Sequence, residues 1–218
     1  AYAGEADCYS LLARYQYEAP RDSFPLARAA ATKALQLDDT TAEVHASLAY
    51  VAYNFDWNWA ESEREFQRAI QLDPTYATAH HWYGLMLAAV GNVDGAIKEL
   101  TEARRLEPLS LIINTNLARS YYYAGQNDRS VEFHLKTLEL EPNFSEGLLR
   151  LGWVYDELKK YDMAVATYRK AMAADIEFGR KFMAQQEDVK AWLLRSLAKN
   201  PDDRFQSADA MLAAMEQL

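Results

Sequence analysis

Leu72-Asp73-Pro74, Leu106-Glu107-Pro108 and Leu140-Glu141-Pro142 repeat one short phrase at an interval of 34 residues (108 − 74 and 142 − 108). Proline lacks the backbone N–H that a helix needs and pushes the residue before it out of the α region. Each phrase therefore predicts a helix stop. Stops at one interval predict stacked supersecondary units, because a single antiparallel helix pair cannot bury its apolar stripe alone.

Counting back from Pro108, the small residues Gly84, Ala96 and Ala103 fall where two helices must approach closely, with Leu87 and Leu100 as filling. Ala118, Ser130, Thr137 and Tyr121 repeat that arrangement in the next unit. Gly152, Tyr155, Ala164, Tyr168 and Ala171 repeat it once more, although Ile176 stands where the ladder would place proline. Upstream, Ser62, Phe66 and Ala69 fit directly. Leu48 and Ala49 fit once an extra residue is allowed at the corner Asn54-Phe55-Asp56-Trp57-Asn58-Trp59. There Asn58 followed by Glu61 reads as a capping box, and the two tryptophans read as a plug for the end of the helix pair. The first unit is irregular. Leu37-Asp38-Asp39 replaces the phrase, while Ala6, Tyr9, Ala27 and Ala34 hold packing positions. An insertion of about nine residues around Tyr15 to Pro25, containing Pro20 and Pro25, reads as a surface loop.

These positions resemble the tetratricopeptide repeat family. The run His80-His81-Trp82-Tyr83-Gly84, with Ala96, Leu100, Ala103 and Pro108, follows that family's pattern, and the resemblance covers about four-fifths of the chain. It implies an all-α fold: a right-handed superhelical solenoid of antiparallel helix pairs, about five repeats in residues 1–176. The units are expected near 1–39, 42–74, 77–108, 111–142 and 145–176, with C-terminal capping helices over 177–218. In that tail Val189, Trp192, Leu193 and Leu197 form one apolar stripe, and Phe205, Ala208, Met211, Leu212 and Met215 another. The phrase from Leu197 to Ala208 resembles the last segment of a protein kinase C-lobe, with Arg204 at the family's arginine. No Ala-Pro-Glu, His-Arg-Asp, Asp-Phe-Gly or glycine-rich phosphate loop accompanies it. Asp56-Trp57-Asn58-Trp59-Ala60 also resembles the repeats of bacterial regulators joined to a kinase or winged-helix domain.

A formal net charge of −9 argues against electrostatically driven binding to nucleic acid or to an anionic membrane. Cys8 is the single cysteine, which excludes an internal disulfide and fits a reducing, cytoplasmic setting. No apolar run approaches the roughly 18–20 residues that span a bilayer. The histidines His45, His80, His81 and His134 lack metal-ligand spacing, so His45 and His80 read as packing residues, and no metal or cofactor is called for. Glu61, Glu63, Glu65 and Glu99 read as solvated surface. No nucleophile elbow is present, and no catalytic site is expected.

The face made by the first helix of each unit is the expected groove. Its candidate residues are Tyr50, Tyr53, His81, Trp82, Asn116, Arg119, Tyr122, Tyr123, Arg150 and Trp153. Aromatics and arginine dominate binding hot spots. Asn116 suits a peptide backbone, and Arg119 and Arg150 suit acidic side chains. Asn116 and Arg150 match two positions of the carboxylate clamp by which some family members bind chaperone tails. His81, Leu85 and Glu146 depart from the other three, and Glu146 would repel a terminal carboxylate. The expected function is a non-catalytic scaffold that binds a protein or peptide segment. The alternatives are the regulatory part of a larger signalling protein (a kinase or a transcriptional regulator) and a module for self-association into a homo-oligomer.

Overall fold

Each Leu-acid-Pro phrase ends a helix at its leucine. The computed structural model describes residues 2–15 and 17–183, which contain α-helices and one π turn but no strand. The helices are α1 (Tyr2–Arg14), α2 (Pro20–Leu37), α3 (Ala42–Val51), α4 (Trp59–Leu72), α5 (Ala77–Ala89), α6 (Val93–Leu106), α7 (Leu111–Tyr123), α8 (Asn127–Leu140), α9 (Ser145–Glu157) and α10 (Tyr161–Met183). The π turn, Ala52–Asp56, continues α3. The chain forms two compact units, Ala1–Leu140 and Glu141–Leu218. In the first, α1/α2, α3/α4, α5/α6 and α7/α8 pair, and each pair packs on the next through α2 with α3, α4 with α5 and α6 with α7. In the second, α9 packs against α10, burying Leu148, Leu151, Val154, Tyr155, Ala164 and Ala171.

A second device works beside proline at the stops. The carboxylate of Asp73 accepts from the N–H of Thr75 at 2.8 Å and from its hydroxyl at 2.7 Å. Asp38, which is followed by Asp39 and not by proline, makes the same turn with Thr40 at 2.9 and 2.6 Å. That turn explains why α2 ends at Leu37 without a proline. The hydrogen bonds from Thr40 and Thr75 hold the Asp38 and Asp73 carboxyls below their ordinary value. At Ile176 neither device is present, and α10 runs on to Met183. The capping stripes from Val189 to Met215 and the kinase-like phrase with Arg204 lie outside the described residues.

Two expectations are corrected in the first unit. The insertion around Pro20 and Pro25 is mostly helix. Pro20 opens α2, where its missing N–H leaves nothing unpaired that the helix would have satisfied, and Pro25 sits exposed inside it. The connection from α1 shrinks to residues 15–19. The extra corner residue expected near Trp59 is taken up by the π turn, and Trp57 follows in the left-handed region at φ 57°. That conformation turns Trp57 outward. Trp57 is 70% exposed and Trp59 38%, so the pair does not plug the helix ends. The corner is closed instead by Phe55 stacked on Phe24 at 5.4 Å, and by Arg28, which bridges Asp56 and Glu61. Asn58 caps α4 by accepting from the N–H of Glu61 at 3.2 Å, and its amide donates to that side chain at 2.9 Å.

His45 and His80 are polar ties and not passive packing. His45 joins the Glu65 carboxylate (2.8 Å) to the Asp39 carbonyl (3.0 Å), and His80 joins Glu99 (2.7 Å) to the Pro74 carbonyl (3.1 Å). At the same repeat position Asn114 donates to the Pro108 carbonyl at 2.9 Å and accepts from Arg104 at 2.8 Å. Each tie reaches back six residues to the preceding helix stop and across to an adjacent helix, the paired one for His45 and His80 and the preceding one for Asn114, so it sets their spacing. Glu65 and Glu99 are therefore partly buried partners, Glu61 holds Arg28, and Glu63 accepts from the Tyr83 hydroxyl at 3.1 Å. Glu61, Glu65 and Glu99 are more than solvated surface, while Glu63 stays exposed as expected.

Candidate functional site

The candidate groove residues of the first unit separate into a floor and a rim. Tyr50 of α3, His81 and Trp82 of α5 and Asn116 of α7 are all buried. The Tyr50 ring lies 4.3 Å from that of Trp82, and the Asn116 amide meets Nε2 of His81 at 2.9 Å. Consecutive first helices are thus locked together by side chains drawn from the candidate set itself. Burial, with the charge of Arg119 adding to it, pushes the His81 imidazole down to about 4, so it sits in the floor as a neutral ring. Burial likewise lifts the Tyr50 phenol to about 12, against the opposing charge and hydrogen bond of Arg14.

Above that floor stand Tyr53, Arg119, Tyr122 and Tyr123. Tyr53, Arg119 and Tyr122 are half-buried and Tyr123 is exposed. The Arg119 guanidinium lies 5.9 Å from the centre of the Tyr123 ring, and Tyr122 and Tyr123 are 5.8 Å apart. Burial raises the Tyr53 phenol, while the charges of Arg119 and Arg14 pull against it. Arg14, at the end of α1, belongs to this rim but was not among the sequence candidates, because the irregular first unit hides its register.

Arg150 and Trp153 belong to the second unit. Arg150 stacks 5.5 Å over the Trp153 ring and donates twice to the Glu146 carboxylate, at 3.0 and 2.7 Å. Its guanidinium is therefore engaged by its own helix, one turn away. Trp153 is 46% exposed. Among the described residues no three histidine, cysteine or acidic side chains converge on a metal position, and no helix is long and apolar enough to cross a membrane.

A family model described as a tetratricopeptide repeat matches residues 145–175. Hsp70-Hsp90 organizing protein 3 of Arabidopsis thaliana is 35% identical over 113 residues, which is 52% of this chain and 20% of that protein. The chain spans between 12% and 20% of the length of the first curated relatives it matches. Among solved structures, PilF of Pseudomonas aeruginosa superposes with a TM-score of 0.63 at 21% identity, covering 91% of this chain and 92% of that one. YrrB, described as a TPR protein with an unusual peptide-binding site, superposes with a TM-score of 0.58 at 18% identity, covering 79% and 84%. The sequence match supports the tetratricopeptide repeat family, and the structural likenesses share its fold.

Proposed function

We propose that this tetratricopeptide-type chain is a non-catalytic interaction module that takes an extended peptide segment across the first-helix face of residues 1–140. The observation that carries this reading is the rim of Tyr53, Arg119, Tyr122 and Tyr123 over a floor in which His81 is hydrogen-bonded to Asn116 and the Tyr50 and Trp82 rings are in contact. A floor tied in this way is rigid, so little ordering is needed when a ligand binds. Tyrosine and arginine at the rim supply the groups that dominate binding energy. The peptide-binding site for which YrrB is described lends the reading support from a protein of like fold. Arg150 and Trp153 form a second guanidinium–aromatic pair in the other unit, which we read by itself as a separate contact patch.

The test is selection of binders from a random peptide library, followed by titration of the best one. Arg119→Gln and Tyr123→Ala should each weaken binding by about 1–3 kcal/mol, with helical circular dichroism unchanged. Undiminished affinity in both variants would overturn the reading. The alternative reading is the regulatory region of a larger signalling protein. It predicts that the same face captures a segment of the longer polypeptide.

A further inference from the structure

The corner between α3 and α4 combines three features. A π turn interrupts regular helix geometry, and such turns concentrate at functional sites. Trp57 takes the left-handed φ that Gly91, Gly125 and Lys159 take at the same place in the later repeats, and its ring is left 70% exposed. Its ring then meets Trp59 edge to face at 5.6 Å, and Trp59 lies 5.9 Å from Tyr53. Two indoles and a phenol therefore form a connected, partly open aromatic surface. It is continuous through Tyr53 with the rim that carries Arg119 and Arg14.

The charge at this place runs against the molecule as a whole. In a chain of formal net charge −9, the Arg119 guanidinium stands 5.9 Å from the centre of the Tyr123 ring, and the charges of Arg119 and Arg14 both bear on Tyr53, the phenol that joins the aromatic surface to the rim. An anionic side chain is the complement of that pair. Open indole faces beside it favour a flat, rigid apolar ring. Proline supplies one, and a polyproline segment is already extended, so it loses little freedom on docking.

We propose that the peptide site extends onto the π-turn corner, and that its ligand is an acidic, proline-containing segment. A carboxylate lies toward Arg14 and Arg119 beside Tyr53, and a proline ring lies against Trp57 and Trp59. This deepens the groove reading and rests on it. The turn presents the ring that the ligand covers.

The experiment titrates the whole chain with three short synthetic peptides, of Glu-Pro, Lys-Pro and Glu-Gly repeats, followed by calorimetry and tryptophan emission. The Glu-Pro peptide should bind and shift the emission, and the other two should bind at least about tenfold more weakly. Trp57→Gly should lower Glu-Pro affinity by a similar factor. Glycine is at ease in the left-handed region, so this variant should melt no lower than the native chain. Arg14→Gln should narrow the preference for Glu-Pro over Lys-Pro. Equal affinity for all three peptides, or no binding of the Glu-Pro peptide, overturns the proposal. If Tyr123→Ala weakens binding while Trp57→Gly does not, the corner assignment falls and the groove reading stands. If neither variant weakens it, both fall.

Discussion

Gly84 and Gly152 occupy the same repeat position, yet replacing them should have different costs. A Cβ at Gly84 would lie 2.7 Å from Cγ of Leu100, a side chain with no exposed surface, and 3.3 Å from the Ala96 carbonyl. A Cβ at Gly152 would lie closer still, 2.3 Å from the Tyr168 ring, but that ring is only half-buried and ends a side chain that can rotate. Gly84→Ala should therefore destabilise by about 1–3 kcal/mol, and Gly152→Ala by less, in denaturant melts. The ordering follows from what can move and not from the shorter distance. The small residues were legible in the sequence, because a fixed spacing marks close helix approach wherever it recurs. Which neighbour yields was not legible, since that depends on the burial of Leu100 and Tyr168.

At the scale of the element, α2 carries a proline in its interior. Pro25 offers no N–H to the carbonyl four residues earlier, and its ring crowds that carbonyl. Pro25→Ala should raise stability by about 1–2 kcal/mol, the restored helix bond exceeding the freedom that proline removes from the unfolded chain. A higher melting temperature with an unchanged spectrum would check it. A spacing argument assigned this stretch to a loop because proline is read as a breaker. The helix survives since Pro25 is exposed, while Phe24, Ala27, Ala30, Ala31 and Ala34 on its other side are buried. The extra residue at the next corner was countable in the sequence. Its absorption as a π turn, with Trp57 turned outward, depended on Phe55 finding Phe24 and Arg28 finding Asp56.

For the whole molecule the response to acid is a balance of opposing groups. Burial, with the charge of Glu43 adding, raises Asp7 from 3.8 to about 6, although the Ser47 hydroxyl donates to it. A raised acid binds its proton more readily in the fold, so its contribution to stability falls as pH rises from about 4 to 6. His81, lowered from 6.5 to about 4, works the other way: the unfolded chain takes up the proton first, and stability rises over the same range. His80 adds a third slope. Burial opposes its charge, but hydrogen bonds to Glu99 and the Pro74 carbonyl, with the charges of Glu99 and Glu102, leave its value raised. The stability it lends is full below 6.5 and is lost as pH climbs through the raised value. Melting temperature against pH should therefore steepen upward between 4 and 6 in Asp7→Asn, and turn downward there in His81→Gln.

The amino-acid sequence by itself determined the repeat, the helix stops and the small-residue seams. These rest on local chemistry: the proline of the Leu-acid-Pro phrase stops a helix in three successive repeats, and a periodic glycine or alanine marks a close approach. The recurrence of His45 and His80 was visible as well, but not Asn114 as the third member, nor the carbonyl six residues back that each one holds. Only the tertiary structure decided how the groove residues divide. Tyr50 meets Trp82 and His81 meets Asn116 across neighbouring helices, which sinks all four into the floor, while Tyr53, Arg119 and Tyr123 stay at the rim. Burial and pairing depend on which side chains of distant segments arrive beside a residue, and no single helix carries that information.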